Sequence, residues 1–244
     1  MKPSNDSPAF QPLYRQIKAL ITQSLVAGEW RPGSAIPSEQ ELARRYNVSQ
    51  GTVRTAISEL AEEKLVIRYQ GRGTFVASHA EERVQFPFLR ITPDQGELTQ
   101  LTATLVSLTR ERADASARQS LQIGRGASVL RLKRRLTLNG QDVCFEEIRL
   151  PALLFKGLSE GLVKNHDCML YSMYESAFGV RALHANEKLR AVDAIGEVAA
   201  QLGLTPRSPV LLVERVAITY GGKPMEWRLS YCDSRLHHYR NQIN

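Results

Sequence analysis

The stretch from Ser38 to Val76 constrains this chain more than any other. Ser38 and Glu41 form a Ser-x-x-Glu capping box just after Pro37, and Leu42, Ala43 and Tyr46 follow at helical spacing. A short helix therefore starts at Ser38 and ends near Asn47. Ser49 caps the next helix, with Val53, Ile57 and Leu60 as its buried stripe. Gln50, Gly51, Arg54 and Thr55 lie on its opposite face, which is small and polar with one arginine. Two short helices joined by the tight turn Tyr46-Asn47-Val48-Ser49 make a helix-turn-helix. In that motif the second helix enters the major groove, with its N-terminal residues at base edges.

The flanks agree. Upstream, residues 13–26 read as a helix with Leu13, Ile17, Leu20, Ile21 and Ser24 on one face, ended by Gly28 and the Pro32-Gly33 turn. Downstream, Leu65 to Tyr69 and Thr74 to Val76 flank Gln70-Gly71-Arg72-Gly73. This predicts a hairpin whose glycines allow close approach to a sugar–phosphate edge while Arg72 supplies charge.

The 244 residues allow one large domain or two ordinary ones, at about 100–200 residues each. Residues 78–96 lose periodicity and carry Pro87, Pro93 and Gly96, so they read as a linker. The expected division is 9–77, a linker at 78–96, and 97–244. The second part reads as α+β, with strands over 98–108, 128–138, 142–150, 180–190, 209–220 and 223–231. Helices are expected over 114–121, capped by Asp114, over 167–178, and over 193–202.

One hairpin supports a register argument. Leu130, Leu132, Arg134, Leu136 and Leu138 share a face, so one arginine lies in a leucine row. A two-residue Asn139-Gly140 loop would set Arg134 against Phe145. A three-residue connection would set it opposite Glu146, with Leu132 facing Ile148 and Leu130 facing Leu150. Burial fixes register, so the second arrangement is preferred. It places Arg134 and Glu146 as a charged pair on an apolar face, either a structural ion pair or the polar floor of a cavity. In the last hairpin Glu226, Arg228 and Ser230 alternate with Met225, Trp227, Leu229 and Tyr231. Read alone, that is a half-exposed strand with its polar face in water.

Other classes find little support. With 32 Lys and Arg against 25 Asp and Glu, the charge of +7 permits nucleic-acid binding without demanding it. No apolar run reaches the ~18 residues of a membrane helix, and the start resembles no signal peptide, so a cytoplasmic protein is expected. Cys144, Cys168 and Cys232 lack metal-site spacing and read as isolated thiols. His237 and His238 are adjacent and would face opposite ways on a strand, so no metal site is expected there. There is no G-x-S-x-G, Walker loop or H-E-x-x-H, and no cofactor is implied.

The first segment resembles the winged helix-turn-helix of the GntR family of bacterial transcription regulators. The resemblance rests on Gly28, Pro32-Gly33, Ile36-Pro37-Ser38-Glu39, Leu42-Ala43, Val48-Ser49, Thr52-Val53-Arg54, Ala56, Leu60 and Gly71-Arg72-Gly73-Thr74-Phe75-Val76. It implies that Thr52 and Arg54 read DNA, with Ser38, Ser49, Gly71, Arg72 and Gly73 near phosphates and Arg44 adding phosphate attraction. Family members often carry arginine where this chain has Gln40 and Gln50. Glutamine pairs with adenine where arginine prefers guanine, so a less guanine-dependent operator is expected.

Residues 97–240 are similar to a UTRA domain, the effector-binding module of the HutC subfamily, which resembles the chorismate lyase fold. The signs are Arg134, the Asn139-Gly140 turn, Glu146 five residues before Pro151, the Leu170-Tyr171 helix start and Gly222-Lys223-Pro224-x-Glu226. By position Arg134, Glu146 and Glu226 match cavity residues. Relatives often have a second arginine at Leu136 and a serine at Met169. Their absence makes a small carboxylate, amine or amino-acid-like effector at least as good a candidate as a sugar phosphate, with Arg90 and Arg228 as further anion contacts. The resemblance implies a homodimeric regulator, a repressor more than an activator. It would bind an inverted repeat of double-stranded DNA and answer to a small-molecule effector. The competing readings are a chorismate-lyase-like enzyme domain fused to a DNA reader, and an architectural protein with a purely structural second domain.

Overall fold

The computed structural model describes residues 11–78, 90–96 and 100–241. The chain divides into two units, residues 1–78 and 79–244, each considered by itself.

The first unit holds α1 (Leu13–Val26), α2 (Glu39–Tyr46), α3 (Gln50–Glu62) and a hairpin of β1 (Val66–Tyr69) and β2 (Gly73–Val76). The Ser38 side chain accepts from the Glu41 amide while the Glu41 carboxylate accepts from the Ser38 amide, so the capping box forms as expected. Asn47 closes α2 at φ 53°, a left-handed conformation that asparagine tolerates. Ser49 caps α3, and Val53, Ala56, Ile57 and Leu60 are buried. The face predicted for α1 is rotated. Ile17, Ile21 and Leu25 are buried, whereas Leu13 and Leu20 are 50% and 41% exposed. Spacing alone admits both stripes; the buried one is the one that packs with α3.

The second unit is α+β. Six antiparallel strands run in the order β4 (Leu101–Arg112), β5 (Ser128–Leu138), β6 (Gln141–Pro151), β9 (Lys223–Cys232), β8 (Pro209–Thr219), β7 (His184–Asp193). A separate ribbon pairs β3 (Ile91–Pro93) with β10 (His237–Tyr239). The helices are α4 (Ala115–Leu121), α5 (Glu160–His166), α6 (Leu170–Phe178) and α7 (Gly196–Gln201).

Several expectations need correction. Part of the expected linker, residues 91–93, is strand β3; residues 79–89 of it, and 98–99 of the strand expected at 98–108, lie outside the described residues. The helix expected from 167 starts at Leu170, and α5 precedes it unforeseen. The strand expected from 180 starts at His184. Asp193 ends β7 instead of capping α7, whose N-cap Ile195 makes no side-chain cap bond.

The β5–β6 register is the preferred one: Arg134 pairs with Glu146, Leu132 with Ile148 and Leu130 with Leu150. Its cause differs from the expected three-residue connection. Asn139 and Gly140 form a two-residue turn with φ 47° and 84°, as a type I′ hairpin requires. A bulge between Leu136 and Thr137 on β5, opposite Cys144 and Asp142 on β6, then shifts the pairing by one residue. Turn chemistry and burial are both satisfied because the extra residue, Val143, absorbs their conflict.

The cysteines also depart from expectation. Cys144 and Cys232 occupy opposed positions on β6 and β9, with Cα atoms 4.2 Å apart, and form a disulfide. A separation of 88 residues hid the pair; only Cys168 is a free thiol.

Register defines a layered sheet face. Leu132, Ile148, Leu150 and Ala217 pack with Leu170, Met173 and Tyr174 of α6. Leu136, Leu138, Cys144 and Cys232 pack with Ile91 of β3, with Leu211 and Tyr239 alongside. The rungs between these two apolar patches are charged.

Candidate functional site

In the first unit the exposed face of α3 carries a small network centred on Glu39, at the start of α2. Its carboxylate accepts from Arg54 Nε at 2.9 Å, Gln50 Nε2 at 3.3 Å and an Arg68 terminal nitrogen at 3.0 Å. Arg54 is thus held through Nε, and its side chain stays 61% exposed. The Ser49 and Thr52 hydroxyls lie 2.8 Å apart at the N-terminus of α3. Ser38 is engaged in its capping box, while Gln40 and Arg44 are exposed on α2. Gly71 and Gly73 flank Arg72 at φ 73° and 101°, and the Arg72 guanidinium lies 5.6 Å from the Tyr69 ring centroid. Sequence reading missed Glu39 as an organiser and Arg68 as its second cation. The signal was an acid in the first turn of α2, read only as part of a motif.

In the second unit the charged rungs form a buried cluster. Arg134 Nε donates to Glu146 at 2.5 Å. Arg228 sits between two carboxylates, 3.2 Å from Glu146 and bidentate on Glu226 at 2.9 and 2.8 Å. Ser230 donates to Glu146 at 2.9 Å. The hydroxyls of Tyr171 and Tyr174, one helical turn apart on α6, donate to the two Glu226 oxygens at 2.7 and 3.0 Å. The next cross-strand neighbour of Arg228 is Arg215, which binds Glu187 of β7 at 2.6 Å. Glu226 is fully buried and Arg228 is 5% exposed, so this strand face does not lie in water as a reading of the strand alone suggests.

The remaining predicted residues lie elsewhere. Met169 is the half-exposed N-cap of α6. Arg90 donates to the Asn241 side chain and lies 6.0 Å from the Tyr239 ring. Leu136 is buried in the apolar patch beside the disulfide. The structure therefore brings together Arg134, Glu146, Glu226 and Arg228, and leaves Arg90 and Met169 outside that cluster. It adds Tyr171, Tyr174, Arg215, Glu187 and Ser230.

Burial opposes ionisation of Glu146, but Arg134 and Arg228 outweigh it and hold its pKa at about 2. Glu226 is lowered in the same way, burial being overcome by Arg228 and the tyrosine hydroxyl. Burial, then Glu226, pushes Tyr171 up to about 12, so it stays a donor. A depressed carboxylate pKa contributes stability above the unfolded value and loses it as pH falls towards the folded one. Melting temperature should therefore fall as pH is lowered from about 5 towards 3. A flat melting profile over that window would contradict the assigned ionisation.

Both carboxylates of the cluster are engaged by arginines. No group of His, Cys, Asp and Glu that could hold a metal occurs among the described residues. No helix of the described residues is long and apolar enough to cross a membrane.

Comparison with known proteins identifies both units. Residues 13–76 match the model of the gntR family of bacterial regulatory proteins, and residues 98–238 match the UTRA domain. The chain is 32% identical over 220 residues to an HTH-type transcriptional regulator of Mycobacterium tuberculosis, spanning 90% of this chain and 80% of that protein. It is 26% identical over 210 residues to the histidine utilization repressor of Klebsiella aerogenes, spanning 84% and 83%. The crystal structure of the ligand-binding domain of a GntR-family regulator from Bordetella bronchiseptica aligns with a TM-score of 0.64 at 37% identity, covering 66% of this chain and all of that one. A capped helix-turn-helix with a glycine-rich wing, joined to an α+β unit with a charged interior, is thus explained: the chain belongs to the GntR family, in the HutC-like branch that couples a DNA-binding head to a UTRA effector domain, and it is a transcription regulator, not an enzyme.

Proposed function

We propose that the protein is a homodimeric repressor whose hold on an inverted-repeat operator is set by a small metabolite bound at the Arg134–Glu146–Arg228–Glu226 cluster. The observation that carries the effector site is charge placed on buried rungs of an otherwise apolar sheet face. Buried ion pairs are poor stabilisers, and apolar residues of similar size would serve the core as well or better. Retaining charged side chains here gives a metabolite polar groups to recognise. Two heads related by a two-fold axis would each present α3 to a half-site. Arg54, Thr52, Gln50 and Gln40 would face bases, with Ser38, Ser49, Arg44 and the Gly71-Arg72-Gly73 wing towards the backbone.

The effector's chemistry follows from the balance of the cluster. Each carboxylate has an arginine, so an incoming ligand exchanges partners with existing pairs and need not neutralise a spare charge. A zwitterion or a small carboxylate or amine suits that exchange. A phosphate would bring charge to a face where Leu136 is apolar. The test is a thermal-shift screen of the full chain against amino acids, amines, carboxylates and sugar phosphates. A ligand at 100 times its dissociation constant adds about 2.7 kcal/mol. A zwitterion, amine or carboxylate hit that is lost in Glu146→Gln, while operator affinity without ligand is kept, is the expected result. A sugar-phosphate hit would overturn the effector class. A hit that Glu146→Gln binds unchanged would overturn the site.

A further inference from the structure

The effector cluster does not end at Glu226 and Arg228. Arg215 lies beside Arg228 on the adjacent strand, on the same sheet face. Its guanidinium binds Glu187, directly opposite on β7. The second oxygen of Glu187 accepts from the Tyr239 hydroxyl, and Tyr239 belongs to β10. Strand β10 pairs with β3, Tyr239 against Ile91, and the ribbon is closed by the Arg240 amide on the Arg90 carbonyl at 2.7 Å and the Asp94 amide on the Leu236 carbonyl at 3.0 Å. Residues 90–96 are the first described residues of this unit and follow the DNA-binding unit in the sequence. Two bonded groups thus meet on one rung: the α6 tyrosines with Glu226 and Arg228, and Arg215 with Glu187 and Tyr239, where Arg228 and Arg215 stand opposite each other and the second group reaches the strand that pairs with that segment. Across that rung the charges of Arg228 and Glu226 act on the buried Arg215.

We infer that Glu187, Arg215 and Tyr239 are positioning residues of the effector response: they pass the state of the cluster to the β3–β10 ribbon. A ligand that draws Arg228 or Glu226 into new bonds changes the field at Arg215. Arg215 then holds Glu187 more or less firmly, and the Tyr239 hydroxyl follows. Tyr239 is suited to this role because its ring packs with the apolar patch beneath the ribbon while its hydroxyl reaches Glu187. The inference rests on reading the cluster as the effector site, but it can be tested without a ligand.

The experiment is hydrogen exchange on the full chain, wild type against Tyr171→Phe, Tyr239→Phe and the double variant. Tyr171→Phe removes one donor from Glu226 and leaves every charge paired. It should change exchange at the Asp94 and Arg240 amides by about threefold or more, although it lies on α6. In the Tyr239→Phe background the same change should leave those amides alone. Unchanged ribbon exchange in Tyr171→Phe, or equal effects in both backgrounds, would overturn the coupling. A third readout separates this inference from the effector assignment. If a ligand found by screening shifts operator affinity equally in wild type and Tyr239→Phe, the relay fails and the site stands.

Discussion

Replacing Arg228 by methionine is expected to lower the unfolding free energy by about 3–5 kcal/mol, a loss typical of breaking a buried ion pair from one side. Arg228 touches both carboxylates of the cluster and is 5% exposed. Its removal takes the bidentate partner from the fully buried Glu226, which keeps two tyrosine hydroxyls, and leaves Glu146 with Arg134 and Ser230. One carboxylate then takes up a proton, or the site admits water. Urea unfolding of the variant should show a shifted midpoint, and Arg228→Met with Glu226→Gln should recover part of the loss because the orphaned charge is gone. A single-variant loss below about 1 kcal/mol would mean the cluster is already solvated.

The second large effect is on DNA. Arg54→Ala should weaken specific operator binding by about 1–3 kcal/mol, roughly 5- to 150-fold, and leave binding to random DNA much less changed. The ion pair to Glu39 fixes Arg54 through Nε at 2.9 Å, so the two terminal nitrogens are available for a bidentate contact. Glu39→Gln should then relax base preference while leaving Arg54 in place, because the guanidinium loses its charged anchor. Titrations at one fixed salt concentration, on operator and scrambled DNA, decide the matter. Equal losses on both sequences would assign Arg54 to phosphate.

Much of this was legible in the sequence, for local reasons. Capping at Ser38, Ser49 and Asp114 involves residues within three positions, and all three caps form. The Arg134–Glu146 pairing was legible because a leucine row leaves one register that buries it. The same argument applied to Leu211, Val213, Arg215 and Ala217 on β8 would have marked Arg215 as a second arginine on an apolar face. The boundary signals of that strand, Pro209 and the Gly221-Gly222 turn, leave Arg215 unmarked. Glu187 and Tyr239 offered less. Strand β7 is an edge with exposed residues on both faces, and Tyr239 sits on a three-residue strand whose partner is about 146 positions away. The Cys144–Cys232 pair likewise depends on β6 lying beside β9, which no local pattern states. The rotated face of α1 shows the limit of periodicity when Leu13 and Leu20 compete with Leu25 for one stripe.

The bulge that separates the Asn139-Gly140 turn from the charged rungs has a consequence for how such a chain can vary over descent. Because Val143 is the residue that adjusts the pairing, the hairpin tip and the cluster are mechanically independent. Deleting Val143 alone would remove the bulge and leave Arg134 opposite Glu146, because Thr137 would still face Asp142 and Leu136 would still face Cys144. The tip can therefore lose that residue, or trade the bulge for a longer loop, and a lineage could reshape it while the charged rungs below stayed fixed.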